Sequence, residues 1–532
     1  MTASPASIEP RTVSVATPGR ALIWFLVLIT LARLWMAATI HLTEDEAYYR
    51  LWAASLQFGY YDHPPMIAWW IRAGMAIAGD NALGVRLLPV LSCGLTSLLI
   101  FDLAQRLGAV APTAARATVW YNATLIVGLG GFLAIPDAPA VMFWTLALWC
   151  VVRAGEDRPA SWWPGCWWMG AGVAAGLAAI SKYSALFLAP GLLIWLIWKG
   201  GGVRALRRPW PWVAALIAAG FFATNLVWNA EHHWVSFIKQ FGRVAPQGFA
   251  PSHLVELVLV EFMLLNPIIS TFAIRGGVQG ARRSGPPNGP DLSLLLAVCA
   301  PFAGYLVLHS LHARVEAHWP APLYPAMAIL AAVAADQVSP GGLWAGLRRA
   351  VAPVGLVLSV LVMLHLMIPA TDLTSVADPS LAIRDWPGFA ARVENLRGAS
   401  HAGWIGTIHY GTAAQLEFED RSGSPVTELM DRDRFPPTDS SWRTDLGQPG
   451  LIVDLGRRGA DMRALHGCFA SVRPLDSLSR GPTPYATFLV AGPRRDVLGR
   501  GCWPSLDAMH AESQRYAAAG FNPPPAPAAA RR

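Results

Sequence analysis

Residues 21–40 read ALIWFLVLITLARLWMAATI, an apolar run interrupted only by Arg33. About 20 such residues in a helix match the roughly 30 Å hydrocarbon core of a bilayer. Comparable runs follow at approximately 82–103, 117–135, 138–152, 163–180, 184–198, 210–229, 253–273, 292–310, 320–336 and 351–369. The chain is 54% hydrophobic and 14% charged, where soluble domains run near about 25% charged, so a single soluble core is excluded. The expected fold is an all-α polytopic membrane domain of about eleven transmembrane helices. The first run is read as an uncleaved anchor, because its length, Arg33 and the acidic stretch after it do not suit a signal peptide.

Charge is distributed in two regimes. Residues 371–532 hold 18 Arg against 18 Asp and Glu, so the net charge of +7 arises before residue 371. Basic excess confined to an apolar region is what cytoplasmic loops produce, and nucleic acid is not an expected partner. With the N-terminus inside, fifteen Lys and Arg fall on inner segments and six on outer segments before residue 370, namely Arg50, Arg72, Lys182, Lys239, Arg243 and Arg314. An odd number of spans then exports the C-terminal part. The expected organisation is a cytoplasmic tail at 1–20, a transmembrane domain at 21–370, an exported soluble α+β domain at 371–521 and a disordered Pro/Ala-rich tail at 522–532. Short alternating runs at Trp404–His409 and Thr487–Val490 are candidate strands. Cys468 and Cys502 alone lie outside the spans, and an oxidising compartment predicts a disulfide between them. Two stretches of the first outer loop, 44–58 and Met66–Gly79, suit interfacial or re-entrant helices, the second being too short to span.

The outer face carries the chemistry. Thr43–Tyr49 reads TEDEAYY and Gly59–Pro65 reads GYYDHPP. Carboxylates beside the hydrocarbon boundary are costly unless they bind something, although Glu44, Asp45 and Glu46 would also complement a helix dipole. Spacing alone weights the two readings equally. Asp137, in Ile135-Pro136-Asp137-Ala138-Pro139, stands between two spans, where helix capping is its plainer role. Glu261 lies deepest, and a buried arginine is its expected partner. Lys182, between two spans, either snorkels or meets a phosphate. Arg314 can do the same, while His318 and Trp319 offer polar and aromatic surface. His232 and His233 are adjacent and point apart, a weak signal for metal.

Four segments in order, TEDEAYYRLWAASLQFGYYDHPPMIAWWI, IPDAP, GLAAISKYSALFLAPG and RVEAHWPAPLYP, resemble bacterial glycosyltransferase family 39, which includes protein O-mannosyltransferases and aminoarabinose lipid A transferases. The resemblance implies a GT-C fold in the bacterial inner membrane. Such an enzyme moves a sugar from a polyprenyl-phosphate donor to a lipid, glycan or protein acceptor on the periplasmic face, inverting the anomeric centre. It implies Asp45 as catalytic group with Glu46 beside it, and Asp137 as the second acid. Lys182, Arg314 and His63 become donor-phosphate contacts, and Tyr48, Tyr60, Tyr61, His318 and Trp319 the substrate-binding surface. No cofactor is called for, and a divalent metal stays open with its ligands unknown. The tail resembles the family's outer domain only through GWIGTIHYGTAAQLEF, residues 403–418.

The chain departs from the aminoarabinose enzymes in two places. His63 stands before Pro64-Pro65 where they carry lysine, and Asp45-Glu46-Ala47-Tyr48-Tyr49 lacks the arginine that they place after the acidic pair, so another sugar or acceptor is expected. The rival reading is a transporter or flippase of lipid-linked sugars, which would show repeated halves and broken spans near midplane.

Overall fold

The computed structural model describes residues 15–156, 163–198, 202–242, 248–282, 290–367, 380, 383–420, 422–430, 432–435, 444–455, 462–494, 497–498 and 502. The expected disordered stretch at 522–532 and the first fourteen residues lie outside this set. The chain divides into two compact units, one of residues 1–39 and 56–368, the other of residues 40–55 and 369–532. The acidic stretch after the first run therefore groups with the C-terminal residues rather than with the helices that flank it in sequence.

The first unit is helical. Among the described residues, six helices are long and apolar enough to cross a membrane: Arg20–Thr39, Ala82–Arg106, Asp137–Glu156, Pro209–Glu231, Ser293–Ser310 and Leu343–Met367. A seventh crossing is reached if Ser252–Leu264 and Pro267–Ala281, bent by 107° at their break, count as one. These helices alone do not reach the expected count of eleven, and the other four apolar runs form helices that are shorter or broken. The run at 117–135 breaks between helices Ala111–Asn122 and Leu125–Gly130. There Thr124 Oγ1 accepts from Val127 N and starts a new helix, a local side-chain bond that competes with helix continuation. Residues 253–273 bend because Asn266 adopts φ 76° and its side chain accepts from Ile268 N, restarting the helix at Pro267. The remaining runs form Trp163–Ala179, a 3-10 turn leading into Leu188–Trp198, and Tyr324–Asp336. The expected helix at Met66–Gly79 is present as Met66–Ala78.

Glycines let these helices approach closely, as small residues do in membrane bundles. A Cβ on Gly355 would sit 2.0 Å from the Ala123 carbonyl oxygen, at the break between the two short helices. Two buried arginines tie the same region. Arg33 donates to Asn122 Oδ1 at 2.8 Å and to the Val127 carbonyl at 3.2 Å. Arg86 donates to the Ala37 carbonyl at 3.3 Å beneath the Phe132 ring.

The second unit is built on a mixed sheet of β1 Trp404–Thr407, β2 Val426–Glu428, β3 Gly450–Leu455, β4 Phe469–Pro474, β5 Leu478–Arg480 and β6 Thr483–Pro493. The order is β2-β1-β3-β6-β4, with β5 on β6; β1 is parallel to β2 and β3, and β6 antiparallel to β3, β4 and β5. Both expected strands are found, in β1 and β6. Helix Tyr410–Glu419 packs on helix Glu44–Ala54 at Gly411, where a Cβ would fall 2.6 Å from a Glu44 carboxylate oxygen. Gln415 adds a bond from its amide to the Leu42 carbonyl at 2.7 Å.

Cys468 and Cys502 are joined in a disulfide with Cα atoms 5.2 Å apart, while Cys93, Cys150, Cys166 and Cys299 are free thiols. Closing a loop across a sequence separation of 34 limits the unfolded chain and stabilises by about 3–4 kcal/mol. Reduction is therefore expected to lower the melting temperature of this unit and to slow the chain's migration on non-reducing gels. Equal migration and melting before and after reduction would count against the bond.

Candidate active site

Asp137 opens a long helix directly after Ile135-Pro136, so its carboxylate sits at the helix N-terminus, where negative charge is favoured. Lys182 follows helix Trp163–Ala179 in extended conformation and begins the next turn. The two meet: Lys182 Nζ donates to Asp137 Oδ1 at 2.6 Å, with side chains only 9% and 7% exposed. His318 Nε2 lies 3.9 Å from the other oxygen of Asp137. Residues that were separate in sequence thus meet as a buried Asp137–Lys182 ion pair with the partly exposed His318 beside it.

Asp137 and His318 face a cavity of about 70 Å³, whose polar lining also includes Ser92, Thr96, Tyr121 and Tyr324. Sequence reasoning missed these four, because a hydroxyl within an apolar run carries no signal until packing turns it toward a void. Tyr324 extends the polar surface further, donating to Glu261 Oε2 at 2.5 Å. The arginine expected beside Glu261 is replaced by this phenol. Tyrosine suits the site because a neutral hydroxyl partner costs less to bury than a second ion.

Arg314 is placed differently. Its Nε pairs with Glu256 Oε1 at 2.8 Å, where the arginine side chain is 65% exposed. Trp319 packs against the His309 ring, with centroids 5.3 Å apart. The loop holding Tyr60, Tyr61 and His63 is fastened to neighbouring helices. Ser236 Oγ donates to the Tyr60 carbonyl, Gln240 to the Asp62 carbonyl at 2.5 Å, and Met66 N to the Ile180 carbonyl at 3.1 Å, two residues before Lys182. Lys239 lies 5.7 Å over the Tyr61 ring. His63 receives the Tyr60 amide on its carbonyl at 3.1 Å. Tyr60 is buried, accepts from Gln57 N at 3.1 Å, and burial pushes its phenol well above the usual range.

In the second unit, Asp45 lies in the first turn of helix Glu44–Ala54. Thr43 caps that turn in a reciprocal box: Thr43 Oγ1 accepts from Glu46 N at 3.2 Å and Glu46 Oε2 from Thr43 N at 2.9 Å. Glu46 is fully buried, so its carboxylate orients the loop. Asp45 is exposed, and Tyr410 Oη donates to its Oδ1 at 2.9 Å. Tyr48 is buried, gives its hydroxyl to the Arg434 carbonyl at 3.0 Å, and packs on Tyr410 with centroids 4.9 Å apart. Tyr410 lies within the quoted GWIGTIHYGTAAQLEF stretch, but nothing in its spacing linked it to Asp45. Among the described residues no group of three or more His, Cys, Asp and Glu side chains is arranged to hold a metal ion, and His232 stacks on Trp228 instead.

The fold is similar to that of solved ArnT structures. The crystal structure of ArnT from Cupriavidus metallidurans bound to undecaprenyl phosphate superposes with a TM-score of 0.58, covering 89% of this chain and 99% of that one at 17% identity. Residues 62–228 match the family described as dolichyl-phosphate-mannose-protein mannosyltransferase. The lipid A galacturonosyltransferase RgtD of Rhizobium johnstonii is 30% identical over 294 residues, 54% of this chain and 59% of that protein. An undecaprenyl phosphate-aminoarabinose arabinosyl transferase of Pseudomonas fluorescens is 30% identical over 220 residues, 38% of this chain and 39% of that protein. The chain therefore matches less than two thirds of the length of these curated relatives. Together these likenesses make it a protein similar to glycosyltransferase family 39, as its ordered motifs imply.

Proposed function

We propose that the chain is an integral membrane glycosyltransferase that takes a sugar from a polyprenyl-phosphate carrier and passes it, with inversion, to a glycolipid of the lipid A kind on the periplasmic face. The observation that carries this reading is the buried Asp137–Lys182 pair, with His318 beside it, where Asp137 and His318 face a cavity within the helical unit. Buried ions are retained inside membrane proteins where they handle charged or polar substrates. A lipid acceptor is favoured over a protein because the relative similar over 294 residues is named a lipid A galacturonosyltransferase.

The chemistry needs few parts. The acceptor hydroxyl attacks the anomeric carbon, the bond to the carrier oxygen breaks with its electrons, and the phosphate departs. A base must take the hydroxyl proton and cations must stabilise the departing charge. In this reading Asp45 is the base. Lys182 supplies positive charge while Asp137 holds its ammonium in place. Arg314 can exchange its exposed partner Glu256 for a phosphate at little cost, since surface pairs contribute only about 0–1 kcal/mol. His63 and Trp319 would flank the carrier. The excess of Lys and Arg on inner loops supports a cytoplasmic N-terminus and exported acidic loops. Of the two signs of the rival transporter reading, the sequence shows no strong repeat of halves, while two apolar runs are broken, at Ala123 and at Asn266.

The test is mass analysis of envelope glycolipids from cells with and without the gene, beside purified protein given undecaprenyl-phosphate sugars and lipid A. Loss of one sugar mass from a glycolipid, matched by transfer in vitro, is the expected result. Unchanged glycolipids with no transfer, or movement of intact carrier across vesicles, would overturn it.

A further inference from the structure

Lys182 has a neighbour that the proposed chemistry leaves out. The backbone is extended at Lys182, with φ −154° and ψ 137°, and the side chains of Lys182 and Tyr183 reach different helices. The lysine meets Asp137. The Tyr183 ring packs on Phe237 and Phe222, with centroids 5.1 and 6.3 Å away, and its hydroxyl donates to Asn225 Oδ1 at 3.1 Å. Asn225 and Asn229, one turn apart on helix Pro209–Glu231, are both fully buried, and Asn229 Nδ2 donates to the same Asn225 oxygen at 3.2 Å. From this hub the network runs on to the first outer loop. Asn225 Nδ2 donates to the Phe58 carbonyl at 2.9 Å, and Trp228 Nε1 to Gln57 Oε1 at 2.7 Å. Gly59 permits the approach, since a Cβ there would fall 2.4 Å from the Trp228 ring and 2.8 Å from Asn225 Nδ2. At its other end the loop donates from Met66 N to the Ile180 carbonyl at 3.1 Å. The stretch 58–66 is thus tied to the stretch 180–183 at both ends, once directly and once through Asn225 and Tyr183.

We infer that Tyr183 is a positioning residue for the carrier phosphate: anchored by Asn225, it fixes the backbone of Lys182 against the first outer loop, so that the ammonium meets the phosphate at a set place. The inference rests on Lys182 being the cation that the departing phosphate meets. A lysine ammonium is a point charge on a flexible four-carbon stem. Asp137 holds the free end of that stem, and only a fixed backbone gives the end a fixed position relative to the loop that carries His63. Buried amides in an apolar unit are costly unless they are hydrogen-bonded, and the two asparagines meet that cost in an interlocked pair from which the Tyr183 hydroxyl and the Phe58 carbonyl are both held. Tyr183 acts through Lys182, so its effect falls on recognition of the phosphate and not on recognition of the prenyl tail.

The experiment titrates the full chain in lipid nanodiscs with farnesyl phosphate, a short isoprenyl phosphate, and with farnesol, which has the same tail and no phosphate. Tyr183→Phe keeps the ring and its aromatic packing and removes only the hydroxyl. It strands no amide, because Asn225 Oδ1 still accepts from Asn229 Nδ2. The variant is expected to bind farnesyl phosphate about 3–10-fold more weakly, a part of the roughly 10–100-fold that a hydrogen bond to an ion contributes, with farnesol binding and melting temperature unchanged. Lys182→Gln/Tyr183→Phe should bind farnesyl phosphate no more weakly than Lys182→Gln alone, because the positioning group then has no cation to place. Wild-type affinity for farnesyl phosphate in Tyr183→Phe, or losses that multiply in the double variant, would overturn the inference and leave Lys182 in its role. Equal weakening of farnesyl phosphate and farnesol, or a lowered melting temperature alone, would mark a residue that serves only the fold and would overturn it as well. A Lys182→Gln protein that binds farnesyl phosphate as wild type does, or wild type that transfers no sugar from undecaprenyl-phosphate donors, would instead remove the reading beneath it.

Discussion

Asp45→Asn is expected to lose about 10²–10⁴ in transfer rate, the usual contribution of a positioned acid or base. Asparagine keeps the shape of the side chain and can still accept the Tyr410 hydroxyl through its amide oxygen, so the local packing survives. What it loses is the ability to take a proton from the acceptor. Because Asp45 is exposed and Thr43 and Glu46 cap its helix without it, the variant should fold and melt as wild type does. Glu46→Gln is expected to be milder, since an amide oxygen can also receive the Thr43 amide in the capping box. The measurement is single-turnover transfer from a polyprenyl-phosphate sugar by purified, folded protein. Near-normal transfer by Asp45→Asn would overturn the assignment and move Asp137 to the first place.

The apolar runs and their order were legible because membrane burial imposes a length rule on sequence, and six of them fold as full-length helices. The shorter ones were not separable by hydropathy. Thr124 and Asn266 restart helices through single side-chain bonds, and such local competition does not alter the average polarity of a window. At the site, Asp137, Lys182 and His318 could each be named from their place at a span boundary. Their meeting could not, since it depends on how three separate segments pack. Arg314 shows the converse. Its position in an outer loop suggested a phosphate contact, yet it rests against Glu256. Tyr410 was invisible for a plainer reason. It lies 365 residues from Asp45, and no periodicity connects positions that far apart.

The largest stability effect is expected at the Asp137–Lys182 pair. Lys182→Met removes the ammonium that sits 2.6 Å from a carboxylate only 7% exposed. His318 Nε2, at 3.9 Å and on a side chain 45% exposed, is too distant for a strong hydrogen bond. Breaking a buried pair by deleting one partner costs about 3–5 kcal/mol, because the surviving ion has lost both water and counter-charge. Replacing both ions is a different matter. Asp137→Asn/Lys182→Met leaves no net charge in the pocket and should recover most of the lost stability. Thermal unfolding in detergent, followed by intrinsic tryptophan fluorescence, gives the comparison directly. The single variant is expected to melt well below wild type and the double variant close to it. Transfer activity should not return with stability, since the restored fold still lacks the cation assigned to the departing phosphate. A Lys182→Met protein as stable as wild type would mean that the pair is solvated and contributes nothing to folding. A double variant that regains activity together with stability would show that Lys182 serves the fold alone and that the departing phosphate is stabilised elsewhere.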